Sequence, residues 1–235
     1  MTISNQEKNR FVVIPSYGRR RSHGISKSQK DALINLSNEY GITLPTKILN
    51  PSAFFTSVSK IFVEIGFGAG EHLIQNAIKN PEIGFIGCEP FENGVAKTLR
   101  AIHDNNLKNV KIFNGDARFL LDFFENSSID KFYILFPDPW TKKRHHKRRL
   151  LSKEFITKTL YYKLKSCGEL IIATDCENYM EEIAEIINNA SEFSAKISEL
   201  EQLQIRPEWF IPTRYEQKAI SHGKKPYYLK VKKVR

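Results

Sequence analysis

The chain predicts an α/β protein: a doubly wound, mostly parallel sheet with an antiparallel C-terminal edge strand and a basic N-terminal arm. Three observations carry that prediction. Short apolar runs alternate with amphipathic stretches of helical period between residues 60 and 188, the pattern that builds right-handed βαβ units on a parallel sheet. A glycine-rich turn, Gly66-Phe67-Gly68-Ala69-Gly70, joins the first apolar run to the first helical stretch. Near the C-terminus, residues 227–232 alternate apolar and polar with a period of two, as an edge strand with one wet face does. At 235 residues the chain suits one domain with an appendage: residues 1–27 as the arm and residues 28–235 as the folded unit.

Taken in order, residues 1–27 are polar and basic with little periodicity. Residues 30–40 carry Ala32, Leu33 and Leu36, and Gly41 then supplies a helix stop. Strands are expected over residues 61–65, 83–88, 110–113, 132–136 and 169–174, where apolar and β-branched residues run together. Helices are expected over residues 71–79, 93–103, a short stretch after Asp116, 153–164 and 178–188, where apolar residues recur at helical spacing.

The net charge of +10 favours a polyanionic partner. The cations are segregated: Arg10, Arg19, Arg20, Arg21, Lys27 and Lys30 in the arm and its junction, residues 142–149 in the middle, and the tail beyond Arg214, while Glu177, Glu181, Glu182 and Glu185 gather elsewhere. Such clustering marks a binding face. No apolar run approaches the ~20 residues that span a bilayer, and the polar N-terminus lacks the apolar core of a signal peptide. Cys88, Cys167 and Cys176 show no metal-ligand spacing, and His145 and His146 have no spaced partners, so neither a metal site nor a disulfide framework is expected. A reducing cytoplasm fits best.

In a doubly wound sheet, ligands bind beyond the carboxyl ends of the strands. The first strand ends in Glu64-Ile65-Gly66-Phe67-Gly68-Ala69-Gly70-Glu71. Glycines let a backbone approach a ligand closely. The spacing departs from the dinucleotide fingerprint, which needs a small residue where Glu71 stands, and Glu64 and Glu71 would repel a pyrophosphate. Glu89, nineteen residues after Gly70, stands where an acid accepts from ribose hydroxyls. Asp116 follows the third strand, placed to accept from an adenine amino group, to cap the next helix, or both. The fourth strand ends in Phe136-Pro137-Asp138-Pro139-Trp140, with six Lys or Arg among the next nine residues. Two prolines stiffen the backbone that presents Asp138. Trp140 either stacks on a substrate base or packs inward. An acid at each of four successive strand ends suits a cationic nucleoside such as S-adenosylmethionine.

These residues resemble the bacterial tRNA (guanine-N7-)-methyltransferases, class I S-adenosylmethionine-dependent enzymes that methylate a guanine in the variable loop of tRNA. The similarity covers about residues 17–232 and rests on VEIGFGAGEHL, FPDPWTKKRHHKRRL, Ala173-Thr174-Asp175 and Thr213-Arg214-Tyr215-Glu216. It implies a Rossmann-like domain, with S-adenosylmethionine held by Glu64, Gly66, Gly68, Gly70, Glu89, Asp116 and Asp138. It also implies Asp138 as the catalytic group, substrate contacts from Lys142, Asp175, Thr213, Arg214, Tyr215 and Glu216, and RNA contacts from Arg144, His145, His146, Lys147, Arg148 and Arg149. The implied partner is tRNA, with no metal and no membrane, for a monomer or homodimer. Guanine N7 carries a free lone pair, so methylation there requires no general base, and Asp138 is expected to orient the guanine and stabilise charge. The alternatives are methylation of another RNA, or a non-catalytic RNA-binding module on the same fold.

Overall fold

In the computed structural model, residues 24–234 are described, so nearly all of the expected arm, Tyr17 and Arg19 to Arg21 included, lies outside the described residues. Helix α1 (Lys27–Asn35) opens on a capping box: the Ser26 hydroxyl accepts from Gln29 N and the Gln29 side chain accepts from Ser26 N. This Ser-x-x-Gln signature moves the start three residues ahead of the expected one. A second short helix, α2 (Ser37–Tyr40), completes the segment before Gly41.

Six strands form one sheet: β1 (Lys60–Ile65), β2 (Ile83–Cys88), β3 (Val110–Phe113), β4 (Ile129–Leu135), β5 (Leu164–Thr174) and β6 (Tyr227–Lys232), in the order β3-β2-β1-β4-β5-β6. The first five are parallel and β6 runs antiparallel to β5. Strand order reverses between β1 and β4, so the loops that leave these two neighbours diverge and open a crevice.

Both faces of the sheet are covered. Along β1, Ile61, Val63 and Ile65 enter one core layer, with Phe132 and Ile134 of β4 and with Tyr179, Met180, Ile183 and Ile187 of α7 (Glu177–Asn188). Phe62 enters the other layer with Tyr133, Leu73 and Ala77 of α3 (Glu71–Lys79), and Leu99 and Ile102 of α4 (Glu92–Asp104). Each large buried apolar side chain contributes about 1.5–3 kcal/mol. The two layers therefore fix the register that brings the ends of β1 to β4 to one edge of the sheet.

Beyond the start of α1, and of β4 at Ile129 where residue 132 was expected, the structure departs from expectation in three places. The helix expected over residues 153–164 is a wide turn with i+5 bonding (Phe155–Leu160) followed by α6 (Tyr161–Lys163). Leu164 is already extended and pairs with Ile129, so β5 begins five residues early. Its irregularity shows at Cys167, which sits at φ 61°. Lastly, α8 (Arg214–Ser221) was not anticipated: only Glu216 and Ala219 within it are buried, and its two larger apolar side chains, Tyr215 and Ile220, are exposed.

Candidate active site

The crevice at the β1/β4 reversal is a cavity of about 720 Å³. Its walls include Gly66 and Gly68 after β1, Glu89 after β2, Asp116 after β3, and Asp138 with Trp140 after β4, joined by Lys142, His145, Arg148 and Tyr215. Nine of the residues expected to hold ligand or RNA thus surround one space: Gly66, Gly68, Glu89, Asp116, Asp138, Lys142, His145, Arg148 and Tyr215.

Each wall has a local cause. Glu89 is buried and holds two loops together: Oε2 accepts from Gly68 N at 2.8 Å and Oε1 from Phe91 N at 2.9 Å. Burial raises the pKa of this carboxyl, the two backbone donors oppose the rise, and Asp138 and Glu64 add to it. Gly66 stands at φ 78°, and the space where a side chain would begin is open, so the backbone itself faces the crevice. Asp116 caps α5 (Ala117–Leu121), accepting from Arg118 N at 3.0 Å, and also holds the Arg118 guanidinium. Capping and lining the cavity therefore coexist at this residue. Tyr215, at the first turn of α8, leans over the glycine turn: a Cβ on Gly68 would lie 3.0 Å from its ring. Its phenol pKa is raised by burial and then by Glu89 and Asp138.

The Asp138 loop is strained. Phe136 and Trp140, on either side of Pro137-Asp138-Pro139, adopt φ 53° and φ 42°. The left-handed region costs a side-chain-bearing residue about 1–2 kcal/mol, so the surroundings must hold the loop in place. Phe136 N donates to Ala173 O at 2.7 Å. Arg149 Nε donates to Pro139 O at 2.8 Å. Trp140 is half-buried, with His145 edge-on at 5.8 Å and the Arg148 guanidinium 5.0 Å from its ring centre.

Several expected residues face elsewhere. Arg149 was expected to contact RNA, yet it is 5% exposed. Besides Pro139 it engages Asn178 and Glu182 and lies 4.7 Å over the Tyr179 ring, so the run of cations conceals one structural arginine. Glu216 was expected to accept from guanine, but it is 1% exposed. It accepts from Arg206 at 2.7 Å and from the Tyr228 hydroxyl, tying α8 to β6. Glu64 is not among the cavity walls: its carboxylate lies 2.7 Å from His72 Nδ1, in the layer beneath the glycine turn. Gly70 (φ 81°) begins α3 against Thr98, where a Cβ would meet Oγ1 at 2.4 Å. Thr213 is buried as the N-cap of α8, and Asp175 pairs with Lys224. His146 pairs with Glu182, and Arg144, Lys147 and Arg214 are exposed. Sequence reasoning missed Arg118, which lines the cavity through its pairing with Asp116. Nothing in its spacing singles it out.

Residues 58–229 match a family model described as "Putative methyltransferase". The tRNA (guanine-N(7)-)-methyltransferase of Paracoccus denitrificans is 39% identical over 220 residues, covering 91% of this chain and 92% of that protein. The chain belongs to the tRNA (guanine-N(7)-)-methyltransferase family. The family member of Caulobacter vibrioides is 38% identical, over 87% of this chain and 89% of its own length. A "Bifunctional methyltransferase" of Rickettsia felis is 38% identical over 91% of this chain but only 39% of its own length. Among solved structures, the 16S rRNA methyltransferase KamB superposes with a TM-score of 0.55 at 12% identity, covering 80% of this chain and 99% of that one. An rRNA methylase from Streptococcus thermophilus gives 0.52 at 15% identity, over 76% and 89%. These two likenesses establish the shared Rossmann-like fold.

Proposed function

We infer that this chain transfers the methyl group of S-adenosylmethionine to N7 of a guanine in tRNA. The observation that carries this reading is the convergence of Glu89, Asp116 and Asp138 with an open glycine turn on one cavity whose rim holds Lys142, His145 and Arg148. A volume of about 720 Å³ suits one small ligand. Three carboxylates and a glycine turn whose backbone is open at Gly66 fit a cationic nucleoside and disfavour a polyphosphate. Gly66 and Gly68, Glu89 for ribose hydroxyls, Asp116 for the adenine amino group and Asp138 are the residues proposed to hold it. When bound, S-adenosylmethionine supplies a methyl group on a positively charged sulfur.

The chain's own groups then have to position guanine and carry charge. N7 brings its lone pair without losing a proton, so no residue is required as a base. Asp138, exposed on a stiff and strained loop, accepts from the guanine N–H edge in this reading, and its charge favours the cationic purine that results. Trp140, held between Arg148 and His145, serves as a fixed wall. The A-form groove hides N7, and a base displaced from its stack costs a few kcal/mol. Phosphate contacts from Lys142, Arg144, Lys147 and Arg148 offset that cost. Tyr215, which lines the cavity, and the exposed Arg214 beside it are proposed to border the guanine. Glu216 sets the position of that segment from inside. The basic residues 1–27 are proposed as an RNA-binding arm, the protein as a monomer or homodimer, and the cytoplasm as its compartment. Among the described residues no helix is long and apolar enough to cross a membrane, and no group of acids, His and Cys could hold a metal.

The test is transfer of label from methyl-tritiated S-adenosylmethionine to an unmodified tRNA transcript, with the RNA digested to nucleosides. Label in 7-methylguanosine is expected. Label in another nucleoside, or none, overturns the reading.

A further inference from the structure

Arg118 makes three contacts with one carboxylate. Its backbone N and its Nε both donate to Asp116 Oδ1, at 3.0 and 2.9 Å, and Nη2 donates to Oδ2 at 2.5 Å. A carboxylate oxygen offers two acceptor positions. Oδ1 is therefore fully used, and Oδ2 retains one. Both residues line the cavity, with the Asp116 side chain 10% exposed. The bidentate fork fixes the carboxylate plane, and the guanidinium balances its charge.

We propose that Arg118 is a positioning and specificity-determining residue: it leaves Asp116 a single, oriented acceptor that reads one N–H of the adenine amino group of the cofactor. It rests on the reading of the cavity as an S-adenosylmethionine site. Arg118 is one reason the subsite suits a neutral amino group. Without the guanidinium, Asp116 keeps only the backbone bond of its helix cap and would present an unbalanced anion with three open positions, a better match for a cation or for ribose-like hydroxyls. Glu89, also in the cavity wall, is held by backbone donors alone, one on each oxygen, and so keeps an open position on each.

The test is calorimetric, in the absence of RNA. S-adenosylhomocysteine and its analogue with hydrogen in place of the adenine amino group are titrated into the wild type and into Arg118→Met and Arg118→Lys. The wild type is expected to prefer the amino ligand by about tenfold to a hundredfold, one hydrogen bond to a charged acceptor. Arg118→Met is expected to erase most of that preference while binding the deaminated analogue almost as the wild type does. Arg118→Lys, which keeps the charge but loses the fork, should fall between them. Equal losses for both ligands, or an unchanged preference, overturn the role of Arg118. Failure of the wild type to bind either ligand overturns the cofactor reading itself. Should Arg118→Met not fold, Arg118→Lys alone decides, since a preference equal to that of the wild type contradicts the need for the fork.

Discussion

Arg149 separates two accounts of the basic loop, because charge assigns it to RNA and geometry assigns it to the fold. Arg149→Ala removes a charged donor from the Pro139 carbonyl at 2.8 Å and from Asn178 at 3.1 Å, an ion pair with Glu182, and a cation–π contact 4.7 Å over Tyr179. Hydrogen bonds from charged donors contribute about 1.5–3 kcal/mol each, and the terms are not additive. The Glu182 side chain is 39% exposed, so water recovers part of its loss. A net cost of about 3 kcal/mol follows, equivalent to a fall of about 6–12 °C in Tm for a chain of this length. The strained turn carrying Asp138 loses its tie at Pro139, so kcat should fall as well. Thermal unfolding followed by circular dichroism, together with tRNA affinity measured at several salt concentrations, provides the check. If Arg149→Ala leaves Tm unchanged while weakening tRNA binding and lowering its salt slope by about 0.7–0.9, the arginine is an RNA contact and the argument from its burial is wrong.

The exposed cations should behave in the opposite manner. Lys147→Ala is expected to weaken tRNA binding and lower the salt slope by close to one, with Tm and S-adenosylhomocysteine affinity unchanged; a filter-binding salt series reads this. Glu216→Gln should lower the urea midpoint by the equivalent of about 1–2 kcal/mol, because the Arg206 and Tyr228 partners lose a shared anion; an unchanged midpoint contradicts its place as an anchor of α8. Burial raises the Glu89 pKa, which has two signed consequences. The folded protein takes up this proton at higher pH than the unfolded chain, so this group adds stability as pH falls through the window between the two values. In the same window it loses acceptor capacity. S-adenosylhomocysteine affinity, measured by calorimetry, should therefore begin to fall above the ordinary carboxylate range near 4.3, and affinity that holds down to that range refutes the assignment.

Most of the parallel sheet was legible because buried strands announce themselves as apolar runs, and a glycine turn between strand and helix leaves few alternatives. The strand-end rule then located Glu89, Asp116 and Asp138 together, since topology alone brings those positions to one edge. What escaped had physical reasons. Leu164 extends β5 because it pairs with Ile129, a tertiary contact that overrides the helical pattern around it. Helix α8 carries a mostly polar face, although Thr213-Arg214-Tyr215-Glu216 has the spacing of a capping box. Only half of that box forms, because Glu216 turns inward to Arg206 and Tyr228. Charge runs do not reveal which cation is buried, so Arg149 and its neighbours Arg148 and Lys147 read alike in sequence while one of them underpins the loop. Glu64 illustrates the same limit: strand alternation turns it toward His72, a partner eight residues away in the next helix.

The central claim is that Asp138 acts by holding guanine and balancing charge at N7 and not by removing a proton. Single-turnover methyl transfer to tRNA by Asp138→Ala, alongside its affinity for S-adenosylhomocysteine, tests this most directly. A rate reduced by about a hundredfold or more, with cofactor affinity changed only a few-fold and 7-methylguanosine still the product, is the expected result. A rate equal to that of the wild type, or a loss wholly accounted for by weaker cofactor binding, would contradict it.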